Sequence, residues 1–227
     1  MWEFIFAGPE GEQETITIED IDLTDWAGTN RVLRVEIIGR WMGLDYLEFQ
    51  SKTQVAPQVD SVIVNDGGAQ RSMVSEITVN FSEEIAGIDS SSFVLMNTTT
   101  NTQIIPTVTT ELLDGRTVAK LTFSGSGIIG GSLSDGNYTL TTLSDTVTDA
   151  AGNLLDGDQN GTGGDNAVDS FFRLYGDANG DRIVNVFDLL SFRRAFRGSA
   201  ADFDYNGDGV VNVLDLLQFR KRFGSTI

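Results

Sequence analysis

Asp177-Ala178-Asn179-Gly180-Asp181-Arg182-Ile183-Val184-Asn185-Val186-Phe187-Asp188 returns, from Asp204 onward, as Asp204-Tyr205-Asn206-Gly207-Asp208-Gly209-Val210-Val211-Asn212-Val213-Leu214-Asp215. The segments that follow repeat as well: Leu189-Leu190-Ser191-Phe192-Arg193-Arg194 matches Leu216-Leu217-Gln218-Phe219-Arg220-Lys221. Each copy carries a side-chain oxygen at positions 1, 3, 5, 9 and 12 of a twelve-residue loop. These are Asp177, Asn179, Asp181, Asn185 and Asp188, then Asp204, Asn206, Asp208, Asn212 and Asp215. Alternate residues of a tight turn can converge on one centre, and position 7 would add a backbone carbonyl, from Ile183 or Val210. The chain has no cysteine and no histidine, so any metal site must be built from oxygen. Oxygen donors in this number suit calcium, and the two loops predict two Ca2+ ions. Solvated Asx-rich turns would not place five oxygens in register twice.

Both loops have the spacing of an EF-hand loop, with two departures. Position 12 is Asp rather than Glu, and no helix is expected before either loop, since Ser170-Phe171-Phe172-Arg173-Leu174 reads as a strand. With the duplication, these departures make Tyr175 to Gly224 resemble a type I-like dockerin, an anchoring module that binds cohesin domains. At about 100° per residue Leu189, Phe192 and Phe196 share a helix stripe that reads as core, while Arg193, Arg194 and Arg197 lie on another side, near Val186 and Leu190. Arg220 and Lys221 fall equivalently, near Val213 and Leu217. The resemblance implies cohesin contacts at Val186, Phe187, Arg193 and Arg194, and at Val213, Leu214, Arg220 and Lys221. The bland alternative for the arginines and lysine is a solvated basic face balancing the acidic loops. Position 6 needs left-handed backbone, and Arg182 stands there where the second copy has Gly209, at a cost of roughly 1–2 kcal/mol.

Upstream, short apolar runs recur between turn signals: Val59–Val64, Ile77–Phe81, Phe93–Met96, Ile104–Val108, Val118–Phe123, Tyr138–Leu143 and Phe171–Leu174. Asn65-Asp66-Gly67-Gly68 and Asp114-Gly115 read as turns. Such strands predict a β-sandwich over residues 55–174. Ser75-Glu76-Ile77-Thr78-Val79-Asn80-Phe81-Ser82-Glu83 and Val147-Thr148-Asp149-Ala150-Ala151-Gly152-Asn153 resemble bacterial immunoglobulin-like (Ig-like) domains, which implies a spacer. The acidic stretch from Asp156 to Asp165 reads as a flexible sandwich loop, with calcium as the alternative.

Residues 1–54 read as a partial β domain, with strands at Trp2–Phe6, Thr15–Ile18, Arg31–Ile37 and Leu44–Phe49. Leu44-Asp45-Tyr46-Leu47-Glu48-Phe49 resembles the closing strand of family 6-like carbohydrate-binding jelly rolls. That family often has a sugar-contacting Asn just before the motif, and Gly43 is there instead. Trp41 reads as a partly buried loop aromatic, with sugar stacking as its alternative.

The formal net charge is −18, and it lies upstream: from Asp177 onward there are seven acids and seven bases, and before it 26 and 8. Such a surface repels nucleic acid and anionic lipid. No segment approaches the roughly 20 apolar residues of a membrane helix. Met1-Trp2-Glu3-Phe4-Ile5-Phe6 lacks the basic flank of a signal peptide, so a secreted or cell-surface destination implies either that the chain is a fragment or that its start is misplaced. The expected class is mainly β: a partial N-terminal sheet segment, an Ig-like β-sandwich, and over residues 175–227 a small α-helical dockerin with two calcium loops. No catalytic residues are assigned. The expected function is calcium-dependent docking onto a cohesin-type partner by the non-catalytic C-terminal region of a secreted protein. Its setting would be polysaccharide degradation or cell-surface assembly, with polysaccharide bound through upstream modules. The rival readings are the tail of a glycoside hydrolase working through two carboxylates, and a calcium-dependent surface adhesin.

Overall fold

Glu76-Ile77-Thr78-Val79-Asn80-Phe81 alternates polar with apolar. In the structure, a computed structural model, Ile77, Val79 and Phe81 are fully buried while the residues between them are half-exposed. The structure describes residues 2–7, 13–18 and 55–227. Two compact units are present, Met1–Val55 and Ala56–Ile227. In the first, β1 (Trp2–Ala7) and β2 (Gln13–Ile18) pair antiparallel. The expected strands Arg31–Ile37 and Leu44–Phe49, the jelly-roll motif and Trp41 lie outside the described residues.

The second unit holds eight strands: β3 (Val59–Val64), β4 (Glu76–Phe81), β5 (Phe93–Asn97), β6 (Thr102–Ile104), β7 (Thr107–Leu113), β8 (Arg116–Thr122), β9 (Gly136–Thr142) and β10 (Ala167–Arg173). They form two antiparallel four-stranded sheets, ordered β3-β4-β8-β7 and β10-β9-β5-β6. Ile77, Val79, Phe81 and Leu121 from one sheet meet Leu95, Tyr138, Leu140 and Phe171 from the other in a common core. Asp114 and Gly115 join β7 to β8 with φ of 50° and 75°, the two positive values that a type I′ hairpin needs.

One strand expectation is corrected. Ile104–Val108 is not a single strand: β6 ends at Ile104 and β7 begins at Thr107, in different sheets. Pro106 has no N–H to give a ladder, so the chain leaves one sheet there and enters the other.

After β10 come two helices, α1 (Val186–Ala195) and α2 (Val213–Arg222). Asn185 and Asn212 cap them, and Asp188 and Asp215 complete reciprocal capping boxes. The two copies are interlocked. Beyond α1, Arg197 N–H donates to the Val211 carbonyl; beyond α2, Gly224 N–H donates to the Val184 carbonyl. Val184 and Val211, at position 8 of each loop, are fully buried between the copies. A three-residue 3-10 turn, Ala201–Phe203, precedes the second loop, where the sequence suggested no helix, and it sets Phe203 into the core.

Phe81→Ala should destabilise the sandwich by about 3–5 kcal/mol in chemical denaturation, as loss of a fully buried aromatic does. Val168→Ala, on the exposed side of β10, should change stability by no more than about 0.5 kcal/mol. Equal effects would contradict the assigned faces.

Candidate metal centre and docking face

Asp177 opens the first loop and is fully buried. Its Oδ1 accepts from Gly180 N–H at 2.7 Å and its Oδ2 from Arg182 N–H at 2.9 Å. Asp204 does the same in the second loop, with Gly207 N–H at 2.9 Å and Gly209 N–H at 2.7 Å. The carboxylate at position 5 accepts from the amide at position 7: Ile183 to Asp181 at 2.9 Å, Val210 to Asp208 at 3.0 Å. Position 12 closes each loop. Asp188 accepts from Ala178 N–H at 2.9 Å and Asn185 N–H at 2.7 Å; Asp215 accepts from Tyr205 and Asn212 N–H, both at 2.8 Å. Asn179 and Asn206 donate to Asp181 and Asp208 at 2.9 Å. Asn185 and Asn212, besides capping the helices, direct Nδ2 at Asp181 and Asp208, at 3.5 and 3.1 Å. Asn212 also donates to the Val210 carbonyl at 3.1 Å.

Each twelve-residue loop therefore carries three carboxylates and two side-chain amides, linked by hydrogen bonds within the turn. Among the described residues no three acids draw together into a ready-made metal cluster; the donor set is mixed. It fits a hard cation, because each carboxylate oxygen that accepts one N–H keeps further lone pairs. Burial pushes the Asp177 carboxyl above its ordinary range, and the charges of Asp188 and Asp181 push the same way. Hydrogen bonds, first that from Asn206, hold Asp208 below it. Position 6 is left-handed in both copies, with φ of 70° at Arg182 and 87° at Gly209.

Val186, Phe187, Arg193 and Arg194 are exposed on the first copy, as are Val213, Leu214, Arg220 and Lys221 on the second. Leu190 and Leu217 are exposed beside them, and Phe187 keeps 67 % of its surface free. Phe192 and Phe219 fill the core instead. Phe196, read from the sequence as core, lies at its margin with 36 % exposed, because α1 ends at Ala195.

The sequence did not reveal how the sandwich meets this module. Arg173, at the end of β10, is buried and pairs with Asp135 Oδ1 at 2.6 Å. Arg222 of α2 pairs with the other Asp135 oxygen. Tyr175 N–H donates to Asp135 at 2.7 Å, and its hydroxyl donates to the Phe203 carbonyl at 2.7 Å. Burial pushes the Arg173 guanidinium down and the Tyr175 phenol up. An arginine within the apolar run Phe171-Phe172-Arg173-Leu174 was the available signal.

The Asp156–Asp165 stretch carries a shortened version of the same loop. Asp156 is buried and accepts from Asn160 N–H at 3.0 Å and Gly161 N–H at 2.9 Å, while Gln58 donates to it at 2.7 Å. Gly164 and Ala167 stand where positions 9 and 12 would be, so those two positions offer no side-chain oxygen.

An Ig-like sandwich thus leads into a duplicated loop–helix module. Residues 53–162 match the family model described as bacterial Ig-like domain, and residues 175–224 match that of the dockerin type I domain. The chain carries a bacterial Ig-like domain followed by a type I dockerin domain. Dockerin type I domains bind calcium and dock onto cohesin domains, and proteins that carry them are typically extracellular or at the cell surface. Both domains are non-catalytic module types. The Ig-like match stops before β10, which the structure pairs with β9. Among the described residues no helix is long and apolar enough to cross a membrane.

Among solved structures, surface layer protein SbsC, domains 1-6, is 21% identical over 52% of this chain, with a TM-score of 0.35. The N-terminal part of the S-layer protein SbsC is 20% identical over 52%, also at 0.35. The matches span 14% and 24% of those chains, and likenesses this slight carry no argument. No curated protein matches the chain.

Tyr175→Phe should cost about 1 kcal/mol or more in urea denaturation with calcium present, because the buried Phe203 carbonyl loses its donor. A variant as stable as the parent would contradict the contact.

Proposed function

We propose that this chain is the non-catalytic C-terminal region of a secreted multidomain protein, and that its dockerin binds two calcium ions and docks onto a cohesin domain. The observation that carries this reading is the repetition of one hydrogen-bonded loop, donor for donor, with an exposed apolar pair at the start of each following helix. The first ion would be held by Asp177, Asn179, Asp181, Asn185, Asp188 and the Ile183 carbonyl. The second would be held by Asp204, Asn206, Asp208, Asn212, Asp215 and the Val210 carbonyl. Position 9 of such loops often reaches its ion through a water molecule, which suits asparagines that also cap the helices.

Calcium here is structural. Three carboxylates in one turn repel one another, so a cation bound only by the folded form stabilises that form by mass action. The cohesin would meet Val186, Phe187, Arg193 and Arg194, or Val213, Leu214, Arg220 and Lys221. Exposed apolar residues together with exposed arginines suit a protein partner. Residues 55–174 would be the Ig-like sandwich and 175–227 the dockerin. Residues 1–54 would close another β domain. The parent would serve polysaccharide degradation or cell-surface assembly.

Calorimetry on the full chain should find two calcium ions. Asp181→Ala and Asp208→Ala should each reduce the count to one, and chelator should abolish cohesin capture. No binding at millimolar calcium, or two ions in both variants, would overturn the reading.

A further inference from the structure

The two loop–helix copies are alike in their proposed ligands and differ in chemistry where the sandwich touches them. Ala178 in the first copy corresponds to Tyr205, Arg182 to Gly209, Ser191 to Gln218 and Ala195 to Arg222. Tyr205, Gln218 and Arg222 form one group: Arg222 donates to Gln218 Oε1 at 3.2 Å and the Tyr205 hydroxyl at 3.4 Å, and pairs with Asp135 of the sandwich. The Arg222 guanidinium also lies 5.0 Å from the Tyr205 ring centre. In the other copy the departure is Arg182. Its guanidinium stacks 4.2 Å from the centre of the Phe172 ring in β10 and donates to Asn137 in β9 at 3.1 Å. Gly209 has no such reach. The left-handed strain of a non-glycine at position 6 is thus accompanied by two contacts to the sandwich.

Backbone contacts follow the loops themselves. Arg71 N–H donates to the Asp177 carbonyl at 2.9 Å, and Gly176 N–H donates to Ser72 Oγ at 2.9 Å. Position 4 of each loop is a glycine pressed against sandwich backbone. A Cβ on Gly180 would lie 2.2 Å from the Ala69 carbonyl oxygen, and one on Gly207 would lie 2.8 Å from Gly130 Cα. Met73 and Phe172 share a core with Phe192, Phe203 and Phe219. Arg173 Nε is buried without a partner, so this junction is closed at the expense of a polar group that water would satisfy if it opened.

From these contacts we infer that the Ig-like domain and the dockerin are one calcium-coupled unit: ions in the two loops order the sandwich segments 68–75 and 130–137, and the sandwich in turn strengthens calcium binding. The inference rests on the calcium reading above. Its physical basis is linkage. The loops carry the contact surface, so whatever fixes the loops favours the contact. The gain is reciprocal, because each binding free energy contains the same coupling. Asp135 is the positioning residue, holding β10 through Arg173 and α2 through Arg222.

Hydrogen exchange on the full chain, with calcium and with chelator, reads the coupling in the sandwich itself. Calcium should slow exchange of segments 68–75 and 130–137 and of β10 by roughly tenfold, in line with coupling energies of this kind. Arg222→Ala and Arg182→Gly each remove a junction contact and no ligand. Calorimetry should still find two ions in both, with Arg222→Ala weakening affinity by about fivefold. In Arg182→Gly the calcium-induced slowing around Asn137 and Phe172 should shrink. If no calcium binds, the calcium reading and the coupling both fall. If two ions bind with parental affinity in Arg222→Ala, and the sandwich segments exchange alike with and without calcium, the coupling alone is overturned.

Discussion

Asp177, Asp188, Asp204 and Asp215 are all buried, and each is the first or last oxygen of a loop. Burying a carboxylate costs several kcal/mol unless its charge and lone pairs are answered. The answer in this protein is a turn that supplies its own amides. The first aspartate collects the N–H groups of positions 4 and 6, and the last collects those of positions 2 and 9. That requirement dictates the left-handed position 6, the helix starting at position 10 and the asparagine cap before it. Amides answer the lone pairs but not three like charges in one turn, which is why a divalent cation completes the arrangement in our reading.

The helices depend on the same groups. Asp188 and Asp215 close their loops and also complete the capping boxes of α1 and α2. Phe192 and Phe219, at equivalent positions in the two copies, then meet with tilted rings 5.1 Å apart between centres. Loop closure and helix start therefore depend on the same two carboxylates. A small module buries little apolar surface unaided. Here it borrows Met73 and Phe172 from the sandwich, and the chain from Ala56 to Ile227 forms a single compact unit.

The loops were legible in the sequence because their oxygens lie close together along the chain and recur in register. The sandwich was legible through alternation, as at Glu76–Phe81, though Pro106 had to be given its full weight to divide β6 from β7. The junction was not legible. Asp135 lies 38 residues from Arg173 and 87 from Arg222, and each reads alone as an ordinary charge. Arg182 looked only like a flaw in its loop. Its role appears once Phe172 and Asn137 are placed beside it by β10 and β9. Asn185 and Asn212 read as possible ligands from spacing, while their capping role needed the helix start to be located.

The central claim is that each loop holds one calcium ion. Crystals grown with calcium would test it most directly through an anomalous difference map. The account predicts two peaks, one within each loop, each surrounded by six to eight oxygens at about 2.3–2.6 Å. A map with no peak in either loop, or with its only peak beside Asp156, would contradict it.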